Sequence, residues 1–351
     1  MQPLTPADPR VLGGIEILGR LGRGGMGVVY AGRTDDDTLV AVKTLHVGGL
    51  EQSDLRERFE REAIALGMVQ GPGVAALVES GQEADETPWL ALEYVPGLDL
   101  ATYLKRHDPL DAVTGTALGL VLANALTDIH TAGLLHRDLK PANVMLGPDG
   151  PKVVDFGLVA IGGAGGDLTH TNIRLGTPRF MAPEQFTAPT SVGAAADVYA
   201  LGALLVYATS GQYPYEGATP DALGFAAVNP DIAPNLTGVP AGLVPLVTAL
   251  MAVKPQDRPG LADVRAQLTE RLAAEGLSPA AARAHLTERT YVPGTGITDE
   301  VPPAKRHAPV TRVETVDHSR TAGTGARTGK RGGLAARTAE RLRKVYARPA
   351  A

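Results

Sequence analysis

The chain contains no cysteine among its 351 residues. Disulfide bonds, zinc sites built on cysteine and catalysis by a thiol are therefore excluded. Aromatic residues are scarce, at 4% of the chain with a single tryptophan. Glycine and proline are abundant, with 42 and 27 residues, so we expect many turns and some disordered sequence.

Long apolar runs are also missing from the sequence. The run ALGALLVYA at residues 200–208 is well short of the roughly 20 residues that span a bilayer. The first ten residues lack the apolar core of a secretory signal. We therefore expect a cytoplasmic protein without a membrane span.

The formal net charge of −5 hides an uneven distribution. Residues 1–275 carry 19 Lys and Arg against 32 Asp and Glu, whereas residues 276–351 carry 14 against 6. The basic part is rich in Thr, Arg, Gly, Pro and Ala, and it has too few apolar residues to form a core. Because its charges are not interleaved with aromatic residues, we expect no nucleic-acid partner.

The pattern of apolar residues divides the chain into four segments. We predict a disordered lead at residues 1–11, a strand-rich region at 12–95, a mostly helical region at 96–272 and a disordered tail at 273–351. Helical periodicity within these regions predicts three main helices, at 53–69, 112–133 and 195–211.

Three glycines, Gly22, Gly24 and Gly27, have the spacing G-x-G-x-x-G. This spacing occurs in dinucleotide-binding folds and in kinases, and it also suits a tight hairpin. A dinucleotide site needs a helix directly after the glycines. Here the glycines lead into VVYA, the turn-rich GRTDDDT and then LVAVKTL at 39–45, which predicts two strands joined by a turn. The pattern therefore argues against a nicotinamide or flavin site.

Two further segments carry candidate chemistry, HRDLKPANVML at 136–146 and KVVDFGLVA at 152–160. The first places Asp138, Lys140 and Asn143 in one loop, and the second places Asp155 at the end of a strand. Taken singly, each aspartate is better explained as a turn former, and Lys43 of VAVK as a solvent-facing strand residue. Together with APE at 182–184 they form the signature set of protein kinases.

Over about residues 12–272 the sequence resembles the Hanks-type, eukaryotic-like serine/threonine kinases of bacteria. The resemblance implies an α+β, bilobal protein-kinase fold, with an antiparallel-sheet N-lobe containing one main helix and a mostly helical C-lobe. It implies phosphoryl transfer from ATP with Mg²⁺ or Mn²⁺ to protein Ser or Thr residues. Lys140, two residues after Asp138, resembles the serine/threonine kinases rather than the tyrosine kinases.

The same resemblance implies a role for each motif residue. Asp138 is the catalytic residue that accepts the hydroxyl proton, Lys140 neutralises the γ-phosphate, and Asn143 and Asp155 bind the metal. Lys43 binds phosphates and is oriented by Glu62, with Glu57 and Glu60 as alternatives, while Leu92 is the gatekeeper of the adenine pocket. The residues implied at ATP are Leu21, Gly22, Arg23, Gly24, Gly25, Met26, Gly27, Val29, Ala41, Lys43, Glu62, Leu92, Glu93, Val95 and Met145.

Regulation is implied by the segment between Asp155 and Glu184. The family's activation-loop phosphothreonines correspond to Thr169 and Thr171, with Arg137 as the partner of the phosphate and Thr177 as a residue that bonds Asp138 and positions substrate. Threonines among the arginines of the tail suggest phospho-dependent docking of forkhead-associated partners. Family members also suggest homodimers that promote autophosphorylation.

Two more expectations concern structural residues. Asp197 resembles the helix residue that bonds the catalytic-loop backbone, and Glu184 with Arg258 resembles the family's buried ion pair. One departure concerns residues 71–75, where GPGVA replaces the family's usual HPNVV and predicts a different anchoring of the 53–69 helix. A nucleotide-binding pseudokinase, a scaffold acting through its tail and a small-molecule kinase remain alternatives.

Overall fold

A computed structural model describes residues 1–24, 27–44, 52–83, 87–156 and 177–294. Strands occupy mainly the first hundred described residues and helices the remainder, as the sequence predicts. The strands are β1 (Val11–Leu12), β2 (Ile15–Gly24), β3 (Gly27–Arg33), β4 (Leu39–Thr44), β5 (Leu77–Gln82), β6 (Pro88–Glu93), β7 (Leu98–Asp99), β8 (Val144–Gly147) and β9 (Gly150–Val153).

Six of these strands form one antiparallel sheet in the order β1-β2-β3-β4-β6-β5, and β7-β8-β9 form a second, smaller sheet. In the larger sheet, Lys43 lies opposite both Val29 and Leu90. Residues directly opposite in neighbouring strands share a face. Val29, Lys43 and Leu90 therefore lie on one face, which we call the cleft face.

The opposite face of the sheet has its own small core, which includes Ile15, Tyr30, Val42 and the single tryptophan, Trp89. This core is separate from the large apolar cluster that contains the helices. Strands β3 and β6 are buried along nearly their whole length, on both faces of the sheet. The first residues of β2 instead alternate between buried and exposed positions.

The described helices are mostly in the second half of the chain. They are α1 (Gln52–Met68), α2 (Leu100–Leu104), α3 (Ala112–Thr131), α4 (Pro183–Thr187), α5 (Ala195–Ser210), α6 (Pro220–Val228), α7 (Val244–Leu250), α8 (Leu261–Ala274) and α9 (Pro279–Thr290). The three main helices predicted from periodicity are confirmed as α1, α3 and α5. Helix α5 ends at Gly211, whose φ of 72° is the left-handed conformation that favours glycine at this position.

Helix α3 is the centre of the large apolar cluster. It packs against α5, α8 and α9, and its side chains from Thr114 to Ala123 are all buried. By length and composition alone, α3 qualifies as a membrane-spanning helix, contrary to our expectation that no run is long enough. Most of it is buried inside the fold, which is typical of the core helix of a globular domain.

Two predicted boundaries are wrong. The lead at 1–11 is ordered, because Asp8 accepts hydrogen bonds from Arg20, Tyr30 and the backbone of Thr5. The tail does not begin at 273, because α8 continues to Ala274 and a further helix, α9, packs on α3. The residues after 294 lie outside the described part of the chain.

Candidate active site

The glycine motif lies in the hairpin that joins β2 to β3, where Gly24 pairs with Gly27. Gly27 has a φ of 146°, a conformation that an L side chain rarely adopts. Leu21, Arg23 and Gly24 are exposed, and Gly22 is half-buried. The prediction of a strand–loop–strand hairpin is confirmed, whereas the two positions at its tip, Gly25 and Met26, lie outside the described residues.

Lys43 on β4 is buried at 7% exposure and projects from the cleft face. Its Nζ lies 2.9 Å from Oδ2 of Asp155. The predicted partner, Glu62 on α1, is not the residue that Lys43 pairs with. Within the described part of the chain, Oε2 of Glu62 is buried without a hydrogen-bond partner. Burial accordingly raises the pKa of the Glu62 carboxyl, and the nearby Arg137 and Arg61 guanidinium groups oppose that rise.

Asp138 is at the centre of a hydrogen-bond network in the loop between α3 and β8. Its Oδ2 accepts a hydrogen bond of 2.6 Å from Nζ of Lys140. Nδ2 of Asn143 donates to the Asp138 backbone carbonyl at 2.8 Å. Thr177, predicted to bond Asp138, does so through its backbone N–H, which donates to Oδ1 at 3.1 Å. The structure therefore brings three predicted residues, Lys140, Asn143 and Thr177, into hydrogen-bond contact with Asp138.

This loop has a strained backbone that α5 supports. Arg137 has a φ of 62°, which is unfavourable for a residue with a side chain. Asp197, in the first turn of α5 and 1% exposed, accepts hydrogen bonds from the backbone N–H of His136 at 2.9 Å and of Arg137 at 2.8 Å. The expectation for Asp197 is thereby confirmed. His136 itself is buried, and burial lowers the pKa of its imidazole.

Asp155 also has a left-handed backbone, with a φ of 61°. The residue before it, Val154, donates its N–H to the backbone carbonyl of Asn143 at 2.9 Å, which joins the two motif segments. Asn143 donates through its side-chain nitrogen, so its side-chain oxygen remains an acceptor. A carboxylate and an amide oxygen are the hard donors that Mg²⁺ prefers. The two predicted metal ligands therefore fit the ion by donor chemistry and position in the chain.

The residues predicted at the adenine lie around the link between the two sheets. Ala41 pairs with the buried Leu92, and both lie on the cleft face with Val29. Val95 is buried, whereas Met145 on β8 is half-buried. Glu93, on the larger sheet, is also bound by the smaller sheet, because its carboxylate accepts a hydrogen bond of 2.5 Å from Lys152 on β9.

A buried ion pair joins Glu184 on α4 to Arg258 in the loop between α7 and α8. The Arg258 guanidinium binds both carboxylate oxygens of Glu184, at 2.6 and 2.8 Å, and it also donates to the carbonyls of Ala195, Ala252 and Val253. The Arg258 side chain is fully buried. The predicted pair is thus confirmed, and the guanidinium donates five hydrogen bonds, each to an oxygen acceptor.

Three supporting residues were not predicted from the sequence. Nε2 of His130 donates to Asp197 at 2.7 Å, Nε2 of Gln185 donates to the Arg137 carbonyl at 2.9 Å, and Lys152 binds Glu93. Of these three residues, only Gln185 could have been found from the sequence, because it directly follows the APE motif. The predicted phosphorylation sites Thr169 and Thr171 lie outside the described residues.

Comparison with known proteins agrees with this arrangement. A family model described as a protein kinase domain matches residues 15–268. The serine/threonine-protein kinase AfsK of Streptomyces coelicolor is 42% identical over 273 residues, which cover 78% of this chain and 34% of AfsK. PkwA of Thermomonospora curvata, a probable serine/threonine-protein kinase, is 36% identical over 270 residues, which cover 77% of this chain and 36% of PkwA.

A third relative, the serine/threonine-protein kinase PknK of Mycobacterium tuberculosis, is 37% identical over 287 residues, covering 78% of this chain and 25% of PknK. The chain thus spans between a quarter and about a third of the length of these relatives. The crystal structure of the M. tuberculosis PknI kinase domain aligns with a TM-score of 0.58 at 24% identity, covering 76% of this chain and 97% of that domain. That likeness shows the fold.

Proposed function

This chain belongs to the protein kinase family, among the Hanks-type serine/threonine kinases of bacteria, and from this premise we propose that it transfers the γ-phosphate of ATP to Ser or Thr hydroxyls of proteins. The observation that carries the proposal is the set of contacts around Asp138. Lys140, Asn143 and the Thr177 backbone each donate a hydrogen bond to this residue. The bonds from Lys140 and Thr177 fix its carboxylate between the 136–146 loop and the end of the segment between Asp155 and Glu184.

Phosphoryl transfer depends mainly on positioning and on charge neutralisation. In this proposal Asp138 accepts the proton of the attacking hydroxyl, and Lys140 neutralises charge on the γ-phosphate. Lys43 supplies a buried cation for the α- and β-phosphates, while the glycine hairpin offers backbone N–H groups without side chains that would obstruct the phosphates. The cleft-face residues Val29, Ala41 and Leu92 border the adenine.

Asn143 and Asp155 would hold the divalent ion, Mg²⁺ or Mn²⁺. When bound, the ion neutralises phosphate charge that the protein side chains leave uncompensated. The Lys43–Asp155 contact of 2.9 Å keeps the Asp155 carboxylate at the cleft face. The hydrogen bond between Val154 and Asn143 keeps the two oxygen donors on adjoining backbone segments.

Autophosphorylation of the activation loop on Thr169 and Thr171 is part of the proposal. Support comes from Arg137, whose Nε is buried and has no hydrogen-bond partner among the described residues. A guanidinium beside an anion forms charge-assisted hydrogen bonds, so a phosphothreonine would satisfy this group. Because Arg137 directly precedes Asp138, a phosphate bound there would act on the catalytic loop.

Protein substrates in bacterial signalling and a cytoplasmic location, where ATP is available, belong to the same proposal. Forkhead-associated partners of the phosphorylated tail and homodimerisation are further parts of it, and they rest on the sequence pattern and the family. Pull-down with forkhead-associated domains before and after phosphatase treatment tests the first, and sedimentation of the purified chain tests the second.

The deciding experiment incubates the purified chain with Mg²⁺ and γ-labelled ATP, followed by mass-spectrometric mapping of the label. Asp138→Asn is the test variant, and Asp108→Asn, at an exposed position in the loop between α2 and α3, is the matched control. We expect label in the wild type and the control, and a loss of about 100-fold or more in Asp138→Asn because a general base is removed.

Nucleotide binding is measured in parallel with a fluorescent ATP analogue. Bound nucleotide without transfer in the wild type would replace this proposal with the pseudokinase alternative. Equal label in the wild type and Asp138→Asn would show that a contaminating kinase is responsible. Label on residues other than Thr169 and Thr171 would refute only the predicted phosphorylation sites.

A further inference from the structure

Helix α9, Pro279–Thr290, lies beyond residues 15–268 that match the kinase family model. It is nevertheless part of the large core, since Ala282, Leu286 and Thr290 are at most 1% exposed. Tyr103 on α2 donates its hydroxyl to the backbone carbonyl of Arg289 at 3.0 Å. The chain after α8 therefore folds back onto α2 and α3.

Arg283 on this helix binds two separate turns. Its Nε and Nη2 donate to the carbonyl of Asp149 at 3.0 and 2.8 Å, and Nη2 also donates to the carbonyl of Pro72 at 2.8 Å. The guanidinium lies directly against Gly150, where an added Cβ would be 2.8 Å from Nε. Because Gly150 has no side chain, the Arg283 guanidinium can occupy this space.

Pro72 belongs to the turn at residues 71–75, which replaces the family's usual HPNVV sequence. This turn is held closely by its neighbours. Val153 on β9 donates its N–H to the Gly73 carbonyl at 2.7 Å. A Cβ at position 73 would lie 3.2 Å from that of Ala125 on α3, so the turn contacts the core helix through bare backbone.

The turn follows α1 by only two residues, since α1 ends at Met68. Helix α1 carries Glu62, whose Oε2 is buried and has no hydrogen-bond partner among the residues that the structure describes, while Lys43 binds Asp155. Lys43 does not pair with Glu62 in this structure, so that ion pair does not hold α1 in place. The position of α1 therefore depends more on how its C-terminal end is anchored. Arg283 contributes to that anchoring from a helix outside the family match.

We propose that Arg283 is a positioning residue that fixes the 71–75 turn, and through it α1 and Glu62, for the kinase reaction. The inference rests on the proposed function for its kinetic consequences. Arginine suits this place because its planar fork donates to two carbonyls at once, whereas lysine donates from a single point. Loss of the fork frees the Pro72 carbonyl and the turn that contains it.

The test compares Arg283→Ala and Arg283→Lys with the wild type in the full chain. Arg289→Ala is the matched control, because Arg289 is an exposed arginine on the same helix, 3.6 Å from Asp111. Hydrogen–deuterium exchange is followed in peptides covering residues 66–76, and kcat and KM for ATP are measured well below the melting temperature of each variant.

We expect Arg283→Ala to accelerate exchange in the turn and to lower kcat about 10-fold, since small misplacements of catalytic groups are costly. Arg283→Lys should recover part of both effects, and Arg289→Ala should match the wild type. In a Glu62→Gln background, Arg283→Ala should lower kcat by less than about twofold, because the two residues act through one element.

Two results would overturn the inference. One is unchanged exchange at residues 66–76 in Arg283→Ala. The other is a kcat loss that multiplies with that of Glu62→Gln, as a general loss of folded protein would. If the wild type transfers no phosphate at all, the proposed function has failed, and the exchange measurement alone then decides whether Arg283 fixes the turn.

Discussion

Asp197→Asn tests how the strained catalytic loop is held. Asp197 is 1% exposed and accepts three hydrogen bonds, from His136 N, Arg137 N and His130 Nε2. The left-handed φ of 62° at Arg137 costs roughly 1–2 kcal/mol for a residue with a side chain. Two backbone hydrogen bonds to a charged acceptor, each worth about 1.5–3 kcal/mol, are sufficient to maintain it.

Asparagine has the shape of aspartate but only one acceptor oxygen. In either orientation of the amide, at least one of the two backbone N–H groups faces an NH₂ group instead of an acceptor. A buried donor without a partner costs about 1–3 kcal/mol, and the bond that survives loses its charge assistance. We therefore expect a loss of about 2–4 kcal/mol, which exceeds the strain at Arg137 and releases the loop that carries Asp138.

The assay combines thermal unfolding with single-turnover phosphoryl transfer. For a domain of this size, each kcal/mol lowers Tm by about 2–4 °C, so Asp197→Asn should melt about 4–16 °C below the wild type. The control is Asp263→Asn, in the first turn of α8 and exposed, which removes the same charge from an equivalent helix position. Equal Tm values for the two variants, with transfer rates within about twofold, would refute the reasoning.

Three further predictions use other contacts. Arg258→Gln should lower the free energy of unfolding by about 3–5 kcal/mol, because it leaves Glu184 buried without its partner. The control Arg289→Gln, at an exposed ion pair, should change the free energy of unfolding by less than about 1 kcal/mol. Equal denaturant midpoints for the two variants would contradict this prediction. Lys43→Met should abolish transfer while the fold persists, and transfer within about tenfold of the wild type would exclude the proposed phosphate contact. Arg20 holds the pKa of Asp8 far below its ordinary value. Asp8 therefore stabilises the fold above about pH 4, and this stabilisation is lost as the pH falls. Asp8→Asn should weaken the acid dependence of stability, measured by unfolding between pH 6 and pH 2.

The sequence predicted best those parts of the molecule whose cause is local. The glycine hairpin follows from β-branched residues on both sides of a turn, and α1, α3 and α5 follow from apolar periodicity. Asp197 and the Glu184–Arg258 pair were predicted from the resemblance to a family, since the contacting residues are about 60 and 74 positions apart in the chain. Spacing alone does not reveal such contacts.

The two wrong boundaries have different causes. Residues 1–11 contain few apolar residues, and they are ordered by polar contacts of Asp8 with Arg20 and Tyr30, side chains on strands that the local pattern does not connect to it. Helix α9, in contrast, has a readable start. Ser278 caps it and Pro279 occupies its first turn, and the buried Ala282 and Leu286 are four residues apart.

The partner of Lys43 illustrates what motif residues alone leave undetermined. Asp155 and Glu62 are both carboxylates, so residue type does not decide which of them binds this lysine. Asp155 directly follows Val154, whose N–H donates to the Asn143 carbonyl, whereas the place of Glu62 is set by α1. On our proposal, the position of α1 depends on residues 71–75 and on Arg283, and none of these residues belongs to a kinase motif. Substitutions at such anchoring positions can therefore change the rate of transfer while every motif residue is retained.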